Sequence, residues 1–319
     1  MLLYSITILG AGIGMFEKVL VLLDGSPLAQ AILPYVTVVA KGFHSHVILF
    51  HVAETALDHQ APEQKAYADQ TIERIRPMAE NYLAGVADQF RKEGIDVETK
   101  VVGGRAAAQI VEQAEQENVD LIAMSTHGRS GLARWVMGSV ADKILRACER
   151  PVLLVRPRDE GASGKAGGRL SKVIVPLDGS NVAEAAIPFA EELGKALGLE
   201  LILIQVIGIE TTVHFVPMAP DSWPVPSDIL QQLDVVASGY LTGLAKQLKD
   251  RGLTVQWEVL RGAPGPTIVE FAKETPGGLV VMTTHGRSGF RRWVMGSVTD
   301  AVVRHTGEPV LVTRPHRAR

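Results

Sequence analysis

Cysteine occurs once in the 319 residues, at Cys148. That excludes an intrachain disulfide or a cysteine-built metal cluster and fits a reducing compartment. Its place in a helical pattern beside an apolar strand makes it core filler. A basic excess is also missing: the net charge is -3 and the pI near 6.3, so no nucleic-acid partner is expected. No apolar run approaches the roughly 20 residues of a membrane span. A soluble, cytoplasmic protein with no membrane association is the expectation. Catalytic signatures are absent as well. There is no G-x-x-x-x-G-K-[ST] loop, no nucleophile elbow and no kinase motif set. No catalytic residue and no side-chain metal site is assigned, and a dedicated enzyme is not expected.

What is present is a repeat. His127 to Val140 reads HGRSGLARWVMGSV and His285 to Val298 reads HGRSGFRRWVMGSV. Each copy follows an apolar run ending in a small hydroxyl residue, Ser125 or Thr283, and precedes a helix-period segment. That is a strand, a glycine loop and a helix start. Gly128 and Gly131 permit backbone conformations closed to other residues, and Gly138-Ser139 puts a glycine and a hydroxyl where the helix opens. Amides at a helix N-terminus attract anions, and Arg129, Arg134, Arg287 and Arg292 add guanidinium donors suited to phosphate. The stretch reads as a phosphate cradle rather than a mere connection, because it occurs twice with its arginines. His127 and His285 lack a His, Cys or carboxylate at ligand spacing and read as loop anchors rather than bases or metal ligands. Trp135 and Trp293 read as packing that seats the loop.

The first fourteen residues are apolar without the basic start and cleavage site of a secretory signal. Their Gly10, Gly12 and Gly14 imitate a dinucleotide fingerprint, but Met15 stands where its last glycine belongs and a strand follows where a helix is required. They read as an extension, with Met15 an alternative start.

From there strands alternate with helices, which makes this an α/β chain with a mainly parallel sheet. The expected strands are Val19 to Leu23, His46 to Val52, Val97 to Val102, Leu121 to Met124 and Pro151 to Val155. Helices are expected over Ala29 to Ala40, with Pro34 near its start or kinking it, and over Ala66 to Lys92, Ala107 to Gln116 and Val140 to Leu145. Arg158 to Arg169 reads as a flexible linker. The second half repeats the first: Asp178-Gly179-Ser180 follows Asp24-Gly25-Ser26 by 154 residues, and from Gly104/Gly262 the offset is 158, as in Ser139/Ser297, Pro151/Pro309 and Arg156/Arg314. The added residues fall near Phe215 to Ser227, where Pro217, Pro220, Pro224 and Pro226 predict an irregular loop.

Together these features resemble the universal stress protein family, over roughly 15 to 157 and 170 to 316, in its tandem-domain class. The carriers are a strand ending in Asp-Gly-Ser, a second strand near His-Val, the pattern small-x-x-Gly, nine residues, Gly-Ser, and a last strand Pro-Val-Leu ending in Arg-Pro. The resemblance implies two Rossmann-like doubly wound domains of five strands, order 3-2-1-4-5, at 15–157 and 170–316. It also implies binding of ATP, with Mg²⁺ held through the phosphates. Asp24 and Asp178 would contact adenosine, the backbone at Val52 and Val206 the adenine, and Gly104 and Gly262 the ribose side. Gly128, Gly138 and Ser139, with Gly286, Gly296 and Ser297, would hold the phosphates, and Arg129, Arg287, His127 and His285 belong to the same loops. Ser125 and Thr283 depart from the family's glycine at the first motif position. Asp24 and Asp178 could instead cap the following helices.

The expected function is an ATP-binding regulatory module of the stress response. The alternatives are a nucleotide-free interaction protein with an unknown protein partner and a slow Mg²⁺-dependent ATPase. The apolar fifth strands would be sheet edges, and a twelve-residue linker spans roughly 17 to 21 Å as a coil. The fifth strands are therefore expected to pair within one chain, leaving other surfaces for any homodimer.

Overall fold

The structure is a computed structural model, and it describes residues 14–54, 62–127, 137–157, 168–208, 227–284 and 295–314. The N-terminal extension, most of the linker and the proline-rich loop lie outside these residues. The first half runs β1 (Lys18–Leu22), a 3₁₀ segment (Pro27–Ile32), α1 (Leu33–Phe43), β2 (His46–Ala53), α2 (Pro62–Lys92), β3 (Val97–Gly103), α3 (Ala106–Gln116), β4 (Leu121–Ser125), α4 (Ser139–Ala147) and β5 (Val152–Val155). The second runs β6 (Lys172–Leu177), α5 (Asn181–Glu184), α6 (Ile187–Leu197), β7 (Glu200–Ile207), α7 (Ser227–Asp250), β8 (Val255–Arg261), α8 (Pro264–Lys273), β9 (Gly278–Thr283), α9 (Ser297–His305) and β10 (Val310–Thr313).

Where one helix was expected over Ala29 to Ala40, there is a 3₁₀ segment and then α1. Pro34 falls within the first two positions of α1, where its missing N–H has no helical acceptor to lose.

All strands join one sheet in the order β3-β2-β1-β4-β5-β10-β9-β6-β7-β8. Each half contributes the order 3-2-1-4-5, and within a half every pairing is parallel. At the centre β5 and β10 pair antiparallel, with Val152 opposite Val312, Leu153 opposite Leu311 and Leu154 opposite Val310. Leu153 and Leu311 are the same position of the repeat, so a pseudo-twofold axis passes between them.

The continuous apolar strands follow from burial on both faces. Val19 and Val21 face one core with α1, α2, α6 and α7, while Leu20 and Leu22 face the other with α3, α4, α8 and α9. The same alternation places Leu153 and Leu311 on the first face and Val152, Leu154, Val310 and Val312 on the second. Each core therefore runs unbroken through both halves, and each buried Val, Leu or Ile contributes about 1.5–3 kcal/mol relative to exposure. On the first face the halves also meet through α1 and α6, where a Cβ on Gly42 would stand 2.1 Å from Leu197 Cδ2.

Candidate functional site

The strand order reverses between β1 and β4, and again between β6 and β9. Helices leave the two strands on opposite faces there, so their carboxyl ends bound a crevice in which ligands of this architecture collect. The parallel registers Val21↔Ala123 and Ile174↔Val280 carry the paired strand ends outward together.

On the β1 side, Asp24 Oδ1 accepts from the Ser26 amide at 2.9 Å, and Asp178 Oδ1 accepts from the Ser180 amide at 2.9 Å and its hydroxyl at 2.6 Å. Gly25 and Gly179 make these turns at φ +85° and +78°, a region in which a side chain would be strained. The helix cap expected as an alternative for the aspartates belongs to the next serine instead: Ser26 and Ser180 Oγ accept from Ala29 and Ala183, each at 3.2 Å. The aspartates shape the turn, and the serines cap the helical segment beyond it.

On the β4 side, Gly138 is the N-cap of α4 and Gly296 of α9, with Ser139 and Ser297 the first helical residues. The first intrahelical bonds are Asp142 N to Gly138 O at 3.0 Å and Asp300 N to Gly296 O at 2.9 Å. The three amides before them, 139–141 and 297–299, have no acceptor within their helix, and a glycine cap has no side chain to offer one. Glycine serves here by proximity rather than dihedral freedom. Gly138 has φ −57°, open to any residue, but a Cβ on it would lie 2.9 Å from the Thr126 carbonyl oxygen.

That closeness is a hydrogen bond. Gly138 N donates to Thr126 O at 2.9 Å, and Thr126 N donates to Val155 O at 2.9 Å; in the second half Gly296 N donates to Thr284 O at 2.8 Å and Thr284 N to Thr313 O at 3.0 Å. Ser125 and Thr283, the departures from glycine, end their strands buried and are not among the described residues with positive φ. The substitution therefore strains no backbone. Ser125 Oγ donates to His127 O at 2.9 Å and accepts from its amide at 3.3 Å, closing the loop on itself. His127 Nδ1 lies 2.9 Å from Thr126 Oγ1, as a loop anchor would, and its Nε2 is buried with no hydrogen-bond partner among the described residues.

Gly104 and Gly262 close the far side at φ +138° and +142°, their amides donating to Ala53 O and Ile207 O at 3.2 and 3.1 Å. Val52 and Val206 sit on the adjoining strands, half-buried. Gly128, Arg129, His285, Gly286 and Arg287 lie outside the described residues, as do Gly131, Arg134, Arg292 and both loop tryptophans. No group of three or more His, Cys, Asp or Glu able to hold a metal occurs among the described residues. Cys148 is buried, and desolvation pushes its thiol pKa up, which keeps it unreactive.

Two features escaped the sequence. Tyr240 Oη donates to Glu184 Oε1 at 2.8 Å beside the second crevice. Burial first, then Glu184 and Asp178, push the phenol's pKa up. The two arginines after the fifth strands also reach across the junction, Arg314 to the end of α4 and Arg156 to the end of α9. The repeat offset paired these arginines, but only the antiparallel junction reveals where they go.

Fold and paired crevices define a duplicated, doubly wound α/β protein. Both halves match the Universal stress protein family, over residues 15–156 and 170–314, and the chain belongs to that family in tandem form. A universal stress protein of Mycolicibacterium smegmatis is 25% identical over 300 residues, 93% of this chain and 97% of the relative. One from Methanocaldococcus jannaschii is 32% identical over 143 residues, 45% of this chain and 81% of the relative. Among solved structures, a universal stress protein from Archaeoglobus fulgidus shares the fold with a TM-score of 0.68 at 22% identity, covering 94% of this chain and 98% of that one. No described helix is long and apolar enough to cross a membrane.

Proposed function

We propose that each half binds one ATP and that the chain works as a nucleotide-responsive regulatory module without a dedicated catalytic apparatus. The observation that carries this is a helix N-terminus capped by glycine, with no side-chain cap bond, present twice, opening where the strand order reverses and facing a turn built by an aspartate. Three amides with no acceptor in their own helix, at the positive end of its dipole, suit a phosphate. Ser139 and Ser297, as first helical residues, bring hydroxyls to the same place.

Asp24 and Asp178 would hold the nucleoside end, with Val52 and Val206 beside the adenine and Gly104 and Gly262 along the ribose. Gly128, Arg129, Gly286 and Arg287 would complete the phosphate loops, and His127 and His285 would anchor them. Mg²⁺ would accompany the nucleotide, carried by its phosphates. Bound nucleotide supplies charge and rigidity to the loops, and the chain's own residues only bind and orient it.

Isothermal titration with Mg-ATP should saturate near two nucleotides per chain, and a hundredfold excess over Kd should stabilise the fold by about 2.7 kcal/mol per occupied site. Absence of heat, of co-purified nucleotide and of any thermal shift would overturn the reading in favour of a nucleotide-free interaction protein. Asp24→Ala should weaken the first site and spare the fold.

A further inference from the structure

The last backbone bond of α4 is Cys148 N to Ile144 O at 2.8 Å, and that of α9 is Thr306 N to Val302 O at 2.9 Å. The carbonyls beyond these need donors from elsewhere. In α4, Leu145 O and Arg146 O accept from Arg314 Nη2 at 2.8 and 2.6 Å. In α9, Arg304 O accepts from Arg156 Nη1 at 2.8 Å. Arg156 and Arg314 are equivalent in the repeat, as are Arg146 and Arg304, so the exchange is reciprocal about the pseudo-twofold axis.

We infer that each cradle helix is held by an arginine of the other half, making Arg314 a positioning residue for the first phosphate cradle and Arg156 for the second. The inference rests on the ATP reading of the cradles. Each helix is nine residues, about 13 Å long, with an anion site at one end and a guanidinium at the other. Both charges act favourably on the same helix dipole.

The connection also closes on itself. Arg156 directly follows Val155, whose carbonyl holds Thr126, whose carbonyl holds Gly138 at the start of α4. Arg314 directly follows Thr313, which holds Thr284 and through it Gly296 at the start of α9. The residue that tethers one cradle's entrance is thus chain neighbour to the arginine that clamps the other cradle's helix.

The test uses the full chain with one cradle blocked. With Gly296→Val in place, only the first cradle takes Mg-ATP. Adding Arg314→Ala should weaken its affinity roughly threefold to tenfold, Arg314→Lys should recover part of the loss, and Arg156→Ala should leave it unchanged. A Gly138→Val chain should give the mirror result. Hydrogen exchange without nucleotide supplies an independent readout: Arg314→Ala should deprotect α4 and spare α9, and Arg156→Ala the reverse. Equal effects of both arginines on one cradle, or exchange loosened only in the arginine's own half, would overturn the assignment. If no chain binds Mg-ATP, parent included, the ATP reading falls and the exchange pattern alone decides the role of the arginines.

Discussion

The two halves agree in the backbone of their sites and disagree in what stands behind it. Gly138 and Gly296 are tied by the same bond to Thr126 and Thr284, Asp24 and Asp178 close the same turn, and Gly104 and Gly262 share a φ near +140°. Around this frame the side chains have drifted. Thr299 donates to Thr283 O at 2.8 Å where the first half has Ala141. Glu184 replaces Gln30 and takes the Tyr240 hydroxyl. His51, buried and 2.8 Å from Leu23 O through Nδ1, becomes Gln205, whose Oε1 is buried without a hydrogen-bond partner among the described residues. Main-chain geometry depends on where the chain runs, so duplication preserves it at both helix starts while the supporting side chains change.

The strongest way to break the comparison is to block one cradle. Gly138→Val puts a branched side chain against the Thr126 carbonyl. Titration should then show one nucleotide site per chain instead of two, with Gly296→Val giving the complementary loss. If both variants bind like the parent, the cradles are misassigned.

A smaller effect is expected at Glu191, which the first half replaces with Thr37. Its carboxylate, 11% exposed, bonds Lys195 and Arg251 at 2.8 Å each. Burial alone would raise its pKa, but the hydrogen bonds and charges of those two cations override it and hold the group below its ordinary value. A depressed pKa contributes stability above the unfolded value and loses it as pH falls through the folded one. Glu191→Gln should cost about 1 kcal/mol at neutral pH, because both cations are about half exposed, and flatten the stability profile below roughly pH 5. Urea titrations at several pH values check this, and Thr37→Ala should show no such pH dependence.

Glu184 sharpens the contrast between the nucleotide sites. Its charge beside Asp178 opposes an anionic ligand, so Glu184→Gln should tighten Mg-ATP at the second site roughly threefold to tenfold, leaving the first unchanged. It should also let Tyr240 titrate closer to its ordinary pKa, which alkaline absorbance at 295 nm, a wavelength for tyrosinate, follows. The smallest effect is expected from Gln205→His. Replacing a buried amide oxygen that has no hydrogen-bond partner among the described residues should raise stability by about 0.5–1.5 kcal/mol, seen as a modest rise in Tm; a fall would mean that the second half has repacked around glutamine.

Much of this was legible beforehand. Apolar strands buried on both faces stand out in any sequence, and the repeat offsets aligned one half on the other. The apolar, edge-forming fifth strands predicted their pairing. Less legible was the chemistry of single positions. Gly138-Ser139 placed a glycine and a hydroxyl where the helix opens, but the reason for the glycine, its close approach to the Thr126 carbonyl, shows only in the structure. The cap weighed as the alternative to ligand contact for Asp24 belongs to Ser26, which Asp24 braces. Arg156 and Arg314 were visible as a pair, but their partners lie 148 and 169 residues away through contacts that no local pattern encodes.

The antiparallel seam between β5 and β10 has a consequence during synthesis. β5 is complete at Val155, and its neighbour begins only at Val310, a delay on the order of ten to thirty seconds at about 5–20 residues per second. Throughout that interval a finished first half presents an apolar strand edge whose natural complement is another copy of itself, since Leu153 faces its own equivalent across the seam. On a crowded polysome, the nearest such copy is the nascent chain next door. Tethering gives the second half the advantage of proximity, and a chain interrupted before β10 would keep that apolar edge open to pairing with a copy of itself.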